Sequence, residues 1–120
     1  MKSIGGNITA EIQIRVTQKN EIGQGVPAWS CVGSVLGWLD FESGQNEMVN
    51  FKGKVQDTTH YFLCDYDKYT NATRGANVTS ENSRLVIDGE IYQILLIDDP
   101  MNLHQHMEIY LQYVGGGLGV

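Results

Sequence analysis

Three histidines and two adjacent aspartates are the residues of this chain best suited to metal chemistry. His104 and His106 lie two positions apart, so in an extended segment both imidazoles face one side, as a metal-binding pair requires. Asp98 and Asp99 precede them, and His60 lies earlier in the chain. Two histidines and a carboxylate leave an open position for water, which is the arrangement of a metal-dependent hydrolase. The alternative is a polar loop before a strand, and the lack of a third ligand at close spacing favours that alternative.

The two cysteines are poorly placed for nucleophilic catalysis, which needs a histidine within hydrogen-bond reach. Cys64 and His60 share one face of a strand, but four residues of extended chain separate them by roughly 13 Å. Nothing in the sequence brings a histidine to Cys31. We expect both cysteines to be small buried apolar residues, as is usual in cytosolic proteins. We therefore expect no catalytic residue, no bound metal and no cofactor.

Binding motifs are equally weak. The triple glycine at 115–117 follows a strand, but no helix follows it to hold a phosphate. The aspartates lack the ligand spacing of a calcium loop. The aromatic residues could form a stacking platform for single-stranded nucleic acid, but core or subunit-interface packing is favoured because little positive charge accompanies them. These aromatic residues are Trp29, Trp38, Tyr61, Tyr66, Tyr92, Tyr110 and Tyr113.

The elements that position these residues are predicted to be strands. Residues 8–17 alternate apolar and polar side chains, which is typical of a strand buried on one face. Asp88 and Gly89 between β-branched runs predict a two-residue hairpin turn. Gly33 and Gly37 predict a bulge or bend in the second strand. The fifth strand, apolar on both faces, is expected to be covered on both sides. The six predicted strands are 8–17, 29–41, 58–66, 84–88, 91–98 and 106–114.

Four segments are predicted to lie outside the strands. Residues 18–28 are expected to be a polar loop, and 67–83 a mobile surface loop. In 42–56, Ser43 could cap a short helix. Residues 115–120 form a glycine-rich tail with no local reason to be ordered.

Length and composition complete the fold prediction. The 120 residues suffice for one domain, which we place at 1–114, with 115–120 as a flexible tail. We predict a mainly β fold, a small six-stranded antiparallel barrel or sandwich with one short helix and long loops. The net charge of −6 disfavours a grip on duplex phosphates. No apolar run has membrane-spanning length, so secretion and membrane insertion are not expected.

The order of motifs resembles that of the head-tail joining (head-closure, or stopper) proteins of tailed bacteriophages. An alternating first strand is followed by a glycine-rich turn leading to a tryptophan, a Ser-Gly-x-x-Glu element, a Thr-His strand and a closing block. The matching segments are Ile8–Thr17, Gly23–Trp29, Glu42–Glu47, Thr59–Tyr66, and Arg84 with Asp88-Gly89, Tyr92-Gln93-Ile94 and Asp99-Pro100. The resemblance as a whole covers about residues 4–114. Asp65 departs from the basic residue that the family usually carries there.

The resemblance implies a non-enzymatic virion protein, assembled in the host cytoplasm. Such proteins form a ring, commonly of about twelve subunits, that closes the DNA-filled head under the portal or its adaptor and receives the tail-completion protein. At −6 each, about twelve copies place roughly −72 around a channel through which viral DNA slides without sequence-specific binding. Another morphogenesis role, as a tail-completion or minor capsid protein, is the alternative.

We expect the loops and the tail to supply the contacts with neighbouring subunits and the channel surface. The residues predicted to lie at these contacts are Gly23, Gly25, Trp29, Glu42, Ser43, Gly44, Glu47, Phe51, Tyr69, Arg74, Gly115, Leu118 and Val120.

Overall fold

The structure is a computed structural model, and it describes residues 3–41 and 58–116. Six antiparallel strands close into one barrel in the order β1-β2-β3-β6-β5-β4. This confirms the predicted mainly β fold. Within the described residues, no helix is long and apolar enough to cross a membrane. The strands are β1 (Ile8–Lys19), β2 (Gly25–Phe41), β3 (His60–Asp65), β4 (Ser83–Ile87), β5 (Glu90–Asp98) and β6 (His106–Gly115).

The barrel interior holds the side chains that the alternating pattern assigned to it. Ala10 and Ile12 of β1 and Phe62 of β3 are completely buried there. Burial of this apolar set removes it from water, which is the main favourable contribution to folding. The other members of the core are Val35, Cys64, Tyr69, Leu85, Ile87, Tyr92, Ile94, Met107, Ile109 and Leu111.

Three register shifts interrupt the strand pairing of the barrel wall, one between β1 and β2 and two between β5 and β6. Ile12 pairs with Gly33 and Gln13 with Cys31, so Val32 is an extra residue in β2, close to the predicted bend. Ile94 pairs with Leu111 and Leu96 with Tyr110, so Leu95 is extra in β5. Residues of both parities are buried in β5, which confirms the predicted burial of that strand on two faces.

The turn between β4 and β5 is the one that the sequence predicted. Asp88 and Gly89 have φ angles of 53° and 77°, and positive φ at both central residues defines a type I′ turn.

The first connection differs from the prediction of a long loop at 18–28. β1 continues to Lys19 and β2 begins at Gly25, so only five residues connect them. The Asn20 side-chain oxygen accepts hydrogen bonds from the backbone N–H groups of Ile22 and Gln24, at 3.1 and 2.9 Å, which closes a tight turn. Pro27 is tolerated in β2 because no strand in the described residues pairs with the other edge there.

The prediction of a loop at 67–83 is wrong for the first part of that segment. Helix α1 (Tyr66–Ala72) lies there and packs against β2. The helix predicted after Ser43 falls outside the described residues.

An N-terminal segment, residues 3–7, is fastened to the outside of the barrel by Asp65. The Asp65 carboxylate accepts hydrogen bonds from the Ser3 hydroxyl at 2.7 Å and from the Ile4 backbone N–H at 2.8 Å. The Trp38 indole N–H donates to the Ile4 carbonyl at 2.8 Å. These contacts make residues 3–7 a fixed part of the fold.

Candidate functional site

The β1–β2 hairpin extends beyond the barrel as a two-stranded ribbon. β1 pairs with β4 over Glu11–Ile14, and β2 pairs with β3 over Gly37–Phe41. The two strands nevertheless remain paired with each other as far as Lys19 and Gly25. We call residues 15–30 the ribbon. Most of its side chains are exposed, including Ile22 at the turn, which is 78% exposed.

An open cavity of about 280 Å³ lies where the ribbon meets the barrel wall. We call it the Arg84 pocket. It combines charged, aromatic and aliphatic groups that come from several strands. Its lining residues are Arg15, Trp29, Ser80, Glu81, Ser83, Arg84, Ile91, Gln93 and Val114.

Trp29 lines this pocket close to two arginines. The guanidinium carbon of Arg84 lies 4.1 Å from the centre of the indole ring, and that of Arg15 lies 5.7 Å from it. Both distances are within the range of cation–π attraction. The indole thus holds two positive charges at one wall of the cavity.

A chain of polar side chains orients Arg84. Its Nε–H donates to the Gln13 side-chain oxygen at 2.7 Å, and the Gln13 amide donates to Glu11 at 2.7 Å. Burial lowers the pKa of Arg84, and the charge of Glu11 partly opposes that shift. The guanidinium stays protonated, since an arginine in a protein does not lose its proton.

Neither arginine has a carboxylate partner in the part of the chain that the structure describes. No ion pair within 4 Å joins Arg15 or Arg84 to an acidic group of residues 3–41 or 58–116. Arg15 donates to the backbone carbonyl of Glu81 at 3.1 Å. Guanidinium groups whose N–H donors are not all engaged in hydrogen bonds within the protein bind carboxylates and phosphates well. The pocket is therefore suited to an anionic group that carries apolar neighbours.

His104 and His106 do not form the metal-binding pair that an extended segment would allow. His104 has a φ of 57°, so the segment is not extended and the two imidazoles do not share a face. The His104 ring is hydrogen-bonded to Asp99, and the His106 ring lies 3.1 Å from Glu108. Over residues 3–41 and 58–116, no three His, Cys, Asp or Glu side chains lie close enough together to hold a metal ion.

His60 lies at the opposite end of β3 from these residues, in an aromatic cluster. Its ring centre is 5.3 Å from that of Phe41 and 5.1 Å from that of Tyr92. Burial lowers the pKa of His60, which favours the neutral ring. The cluster is a packing arrangement.

The cysteines differ from each other, which corrects the expectation that both are buried. Cys64 is completely buried, and desolvation raises the pKa of its thiol to about 12. Cys31 is exposed on β2, because the outward face of this strand is not covered there. Both are free thiols.

The predicted contact residues are found in different environments. Gly23 lies in the hairpin turn with a φ of 85°, and Gly25 begins β2. Gly115 ends β6, and Arg74 is exposed with a hydrogen bond to Asn71. Glu42, Ser43, Gly44, Glu47, Phe51, Leu118 and Val120 lie outside the described residues.

The prediction that Tyr69 lies at a subunit or channel contact is wrong. Its side chain is only 8% exposed and belongs to the core. Helix α1 turns it inward. Among the predicted contact residues that the structure describes, Trp29 alone lines the Arg84 pocket. Arg15, Gln13 and Arg84 were not predicted as site residues, since only barrel closure brings their strands together.

Comparison with known proteins adds a fold relationship. No family model matches the chain, and no curated protein matches it. The solution structure of protein SF1141 from Shigella flexneri 2a, a structural-genomics target, is similar with a TM-score of 0.64. The sequences are 15% identical, and the alignment covers 100% of both chains. A likeness at this level of identity concerns the fold.

Proposed function

We propose that the protein is a head-tail connector subunit of a tailed bacteriophage, a non-enzymatic virion component that assembles into a ring and closes the DNA-filled head. The observation that carries the proposal is the ribbon, an exposed two-stranded extension on a small closed barrel. The order of sequence motifs supports the same role. The ring would bind the portal or its adaptor on one side and the tail-completion protein on the other.

The ribbon offers what a subunit contact needs. Unpaired strand edges present backbone N–H and C=O groups that another chain can bind. Residues 25–30 of β2 have no second partner strand in the described part of the chain. Ile22 and Trp29 add exposed apolar surface to the polar edge. In a ring, this extension contacts a neighbouring subunit or reaches toward the channel.

The charge of the chain supports a role around passing DNA. A net charge of −6 per subunit repels phosphate, and the repulsion grows with every copy in a ring. A channel lined by such acidic subunits would not bind DNA phosphates in a way that slows their passage. The acidic composition therefore favours a conduit over a DNA-binding surface.

The experiment that tests the proposal uses tail-less, DNA-filled heads that carry the portal encoded in the same genome. Purified protein is mixed with these heads, and the particles are sedimented and examined by electron microscopy. We expect a ring of the protein at the portal vertex and retention of the packaged DNA. Binding to isolated tails and not to heads would contradict the proposal and favour a tail-completion role.

A shortened ribbon tests the structural part of the proposal. Residues 17–27 are replaced by Asn-Gly, so that Val16 and Ala28, which face each other, are joined by a two-residue turn. We expect the barrel to fold and binding to heads to fall at least tenfold. The matched control is Glu21→Ala at an exposed turn position, which keeps the ribbon at full length and retains Ile22 and Trp29. Normal head binding by the shortened protein would remove the ribbon from the proposal.

A further inference from the structure

We propose that the Arg84 pocket of one subunit binds the acidic loop, residues 98–103, of a second copy of this chain. This inference rests on the proposed ring and names the contact that builds it. The contact is heterologous, because two different surfaces of the same protein meet. Five properties of the described residues lead to it.

The two arginines of the pocket form no ion pair within 4 Å with a carboxylate of the described residues. Arg15 and Arg84 bring two guanidinium groups to Trp29, and Glu81 at the rim is the one acidic residue of the lining. The side chain of Glu81 accepts a hydrogen bond from the Ser80 hydroxyl at 2.9 Å. The pocket thus offers two guanidinium groups that are not ion-paired, on a protein whose net charge is −6, although the charge of Glu11 also acts on Arg84.

The acidic loop has the complementary charge. Asp98 ends β5 and Asp99 follows it, and Glu108 of β6 lies opposite Asp98. The pKa of Asp98 is raised by burial and by the neighbouring charges of Glu108 and Asp99, against a smaller effect of His106. A guanidinium from another subunit would relieve this repulsion.

The loop also has apolar groups to match the apolar wall of the pocket. Met101 is 86% exposed and Leu103 is 56% exposed, although both are large hydrophobic residues. The pocket wall contributes Trp29, Ile91 and Val114. An exposed methionine is well suited to such a wall, because its flexible side chain adapts to irregular surfaces and contacts aromatic rings favourably.

The loop is presented in one conformation. The Asp99 carboxylate accepts hydrogen bonds from the backbone N–H of His104, at 3.0 Å, and from its ring. Met101 has a φ of 55°, so the chain turns sharply at the tip. A preorganised loop loses less conformational entropy when it binds.

The two surfaces lie at opposite ends of the same strands. Ile91 lines the pocket at the start of β5, and Asp98 reaches the loop at its end. Seven residues of strand separate them by roughly 23 Å. A subunit cannot place its own loop in its own pocket, so the contact repeats from copy to copy, and it closes a ring if the rotation between copies allows it.

Disulfide crosslinking tests this contact in the purified protein. Cys31→Ser removes the exposed thiol, and Met101→Cys with Gln93→Cys then places one thiol on each surface. We expect mild oxidation to give a ladder of covalent oligomers on a non-reducing gel. The control pairs Met101→Cys with Thr9→Cys at an exposed position of β1, which lies outside the pocket, the loop and the ribbon. Adding Arg84→Gln or Asp98→Asn to the test pair should reduce the ladder at least fivefold.

Each outcome decides the inference. An absent ladder, or an equal one from the control pair, overturns it. Sodium acetate is the probe for a free ligand, followed through Trp29 fluorescence in a Trp38→Phe variant. Saturable acetate binding without a ladder shows that the pocket takes a small carboxylate and also overturns the inference. Ring formation on heads without a ladder would leave the proposed function intact, whereas a ladder without head binding would refute the function alone.

Discussion

The guanidinium carbon of Arg84 lies 4.1 Å from the centre of the Trp29 ring, while its Nε–H donates to Gln13. These contacts tie β4, β2 and β1 together on the outside of the barrel. The pair is the structural basis of the pocket, and its contribution can be measured.

Replacing Arg84 with methionine keeps an unbranched stem and removes the charge. We expect the free energy of unfolding to fall by about 1 kcal/mol, because the cation–π contact and the hydrogen bond to Gln13 are both lost. Urea unfolding measures the change, and Trp29 emission in a Trp38→Phe background should shift as well. The control is Arg74→Met, an exposed arginine bonded to Asn71. An equal loss in the control would show that Arg84 has no special role.

Gly37 is required for close packing within the wall. A Cβ atom there would lie 2.4 Å from the Leu63 carbonyl oxygen and 2.6 Å from the Phe62 ring. We expect Gly37→Ala to reduce the free energy of unfolding by about 2 kcal/mol through overpacking. Ser34→Ala, at an exposed position of the same strand, should change it by less than about 0.5 kcal/mol. Equal thermal stability of the two variants would contradict this explanation.

Asp65 makes the N-terminal segment sensitive to acid. Burial would raise the pKa of this carboxyl, but hydrogen bonds from Ile4, Ser3 and Gly5 and the charge of Lys68 lower it below 3.8. A carboxyl whose pKa is lower in the folded than in the unfolded state stabilises the folded protein at any pH above the unfolded-state pKa. That stabilisation is lost as the pH falls through the folded-state pKa.

We therefore expect Asp65→Asn to cost about 2 kcal/mol at pH 7 and progressively less as the pH falls through the lowered folded-state pKa, because the wild-type carboxyl becomes protonated there. Unfolding experiments across this range measure the difference, and Trp38 emission reports on the segment directly. Asp88→Asn, at an exposed turn position that tolerates asparagine, is the control. A cost that stays constant with pH would show that the charge of Asp65 is unimportant.

His60 should make stability depend on pH near neutrality. Burial lowers its pKa from 6.5, so the unfolded chain binds a proton more readily than the folded one. The contribution of His60 to the free energy of unfolding is fully present above pH 6.5 and is lost as the pH falls through the folded-state pKa. We expect wild-type protein to lose more stability than His60→Phe between pH 7.5 and pH 5.5. Since both proteins retain His104 and His106, the difference in chemical denaturation isolates His60; parallel curves would contradict the prediction.

Local features of this fold could be predicted from the sequence. The Asp88–Gly89 turn depends on two residues whose backbone preferences are strong, and the alternating pattern of β1 depends on residues that are close together in the chain. Both predictions are confirmed. Gly33 was recognised as a point of irregularity, and the structure supplies the reason. A Cβ there would lie 2.4 Å from the Ala72 carbonyl oxygen at the end of α1.

Helix α1 was missed because it is only seven residues long and buries one residue, so it shows no apolar periodicity. Asp65 at the N-cap and Asp67 in the first turn are the signals that could have revealed it. Even so, the Asp65 side chain does not cap the helix, since it binds residues 3–5.

The Arg84 pocket depends on pairings between distant segments. Gln13 faces Arg84, and Arg84 faces Gln93, only because β4 lies between β1 and β5. A single sequence does not specify which strands become neighbours in a closed barrel. The chemistry of the pocket could therefore be recognised only after the strand order was known.

β2 is a single strand of 17 residues that belongs to both the ribbon and the wall. A pull on the tip at Gly25 is transmitted along one backbone to Gly37, whose carbonyl accepts a hydrogen bond from the Asn7 N–H at 2.9 Å. The next residue, Trp38, holds the Ile4 carbonyl. One continuous strand therefore connects the outer turn with the hydrogen bonds that hold residues 4–7, so we expect a force on the turn to reach these residues.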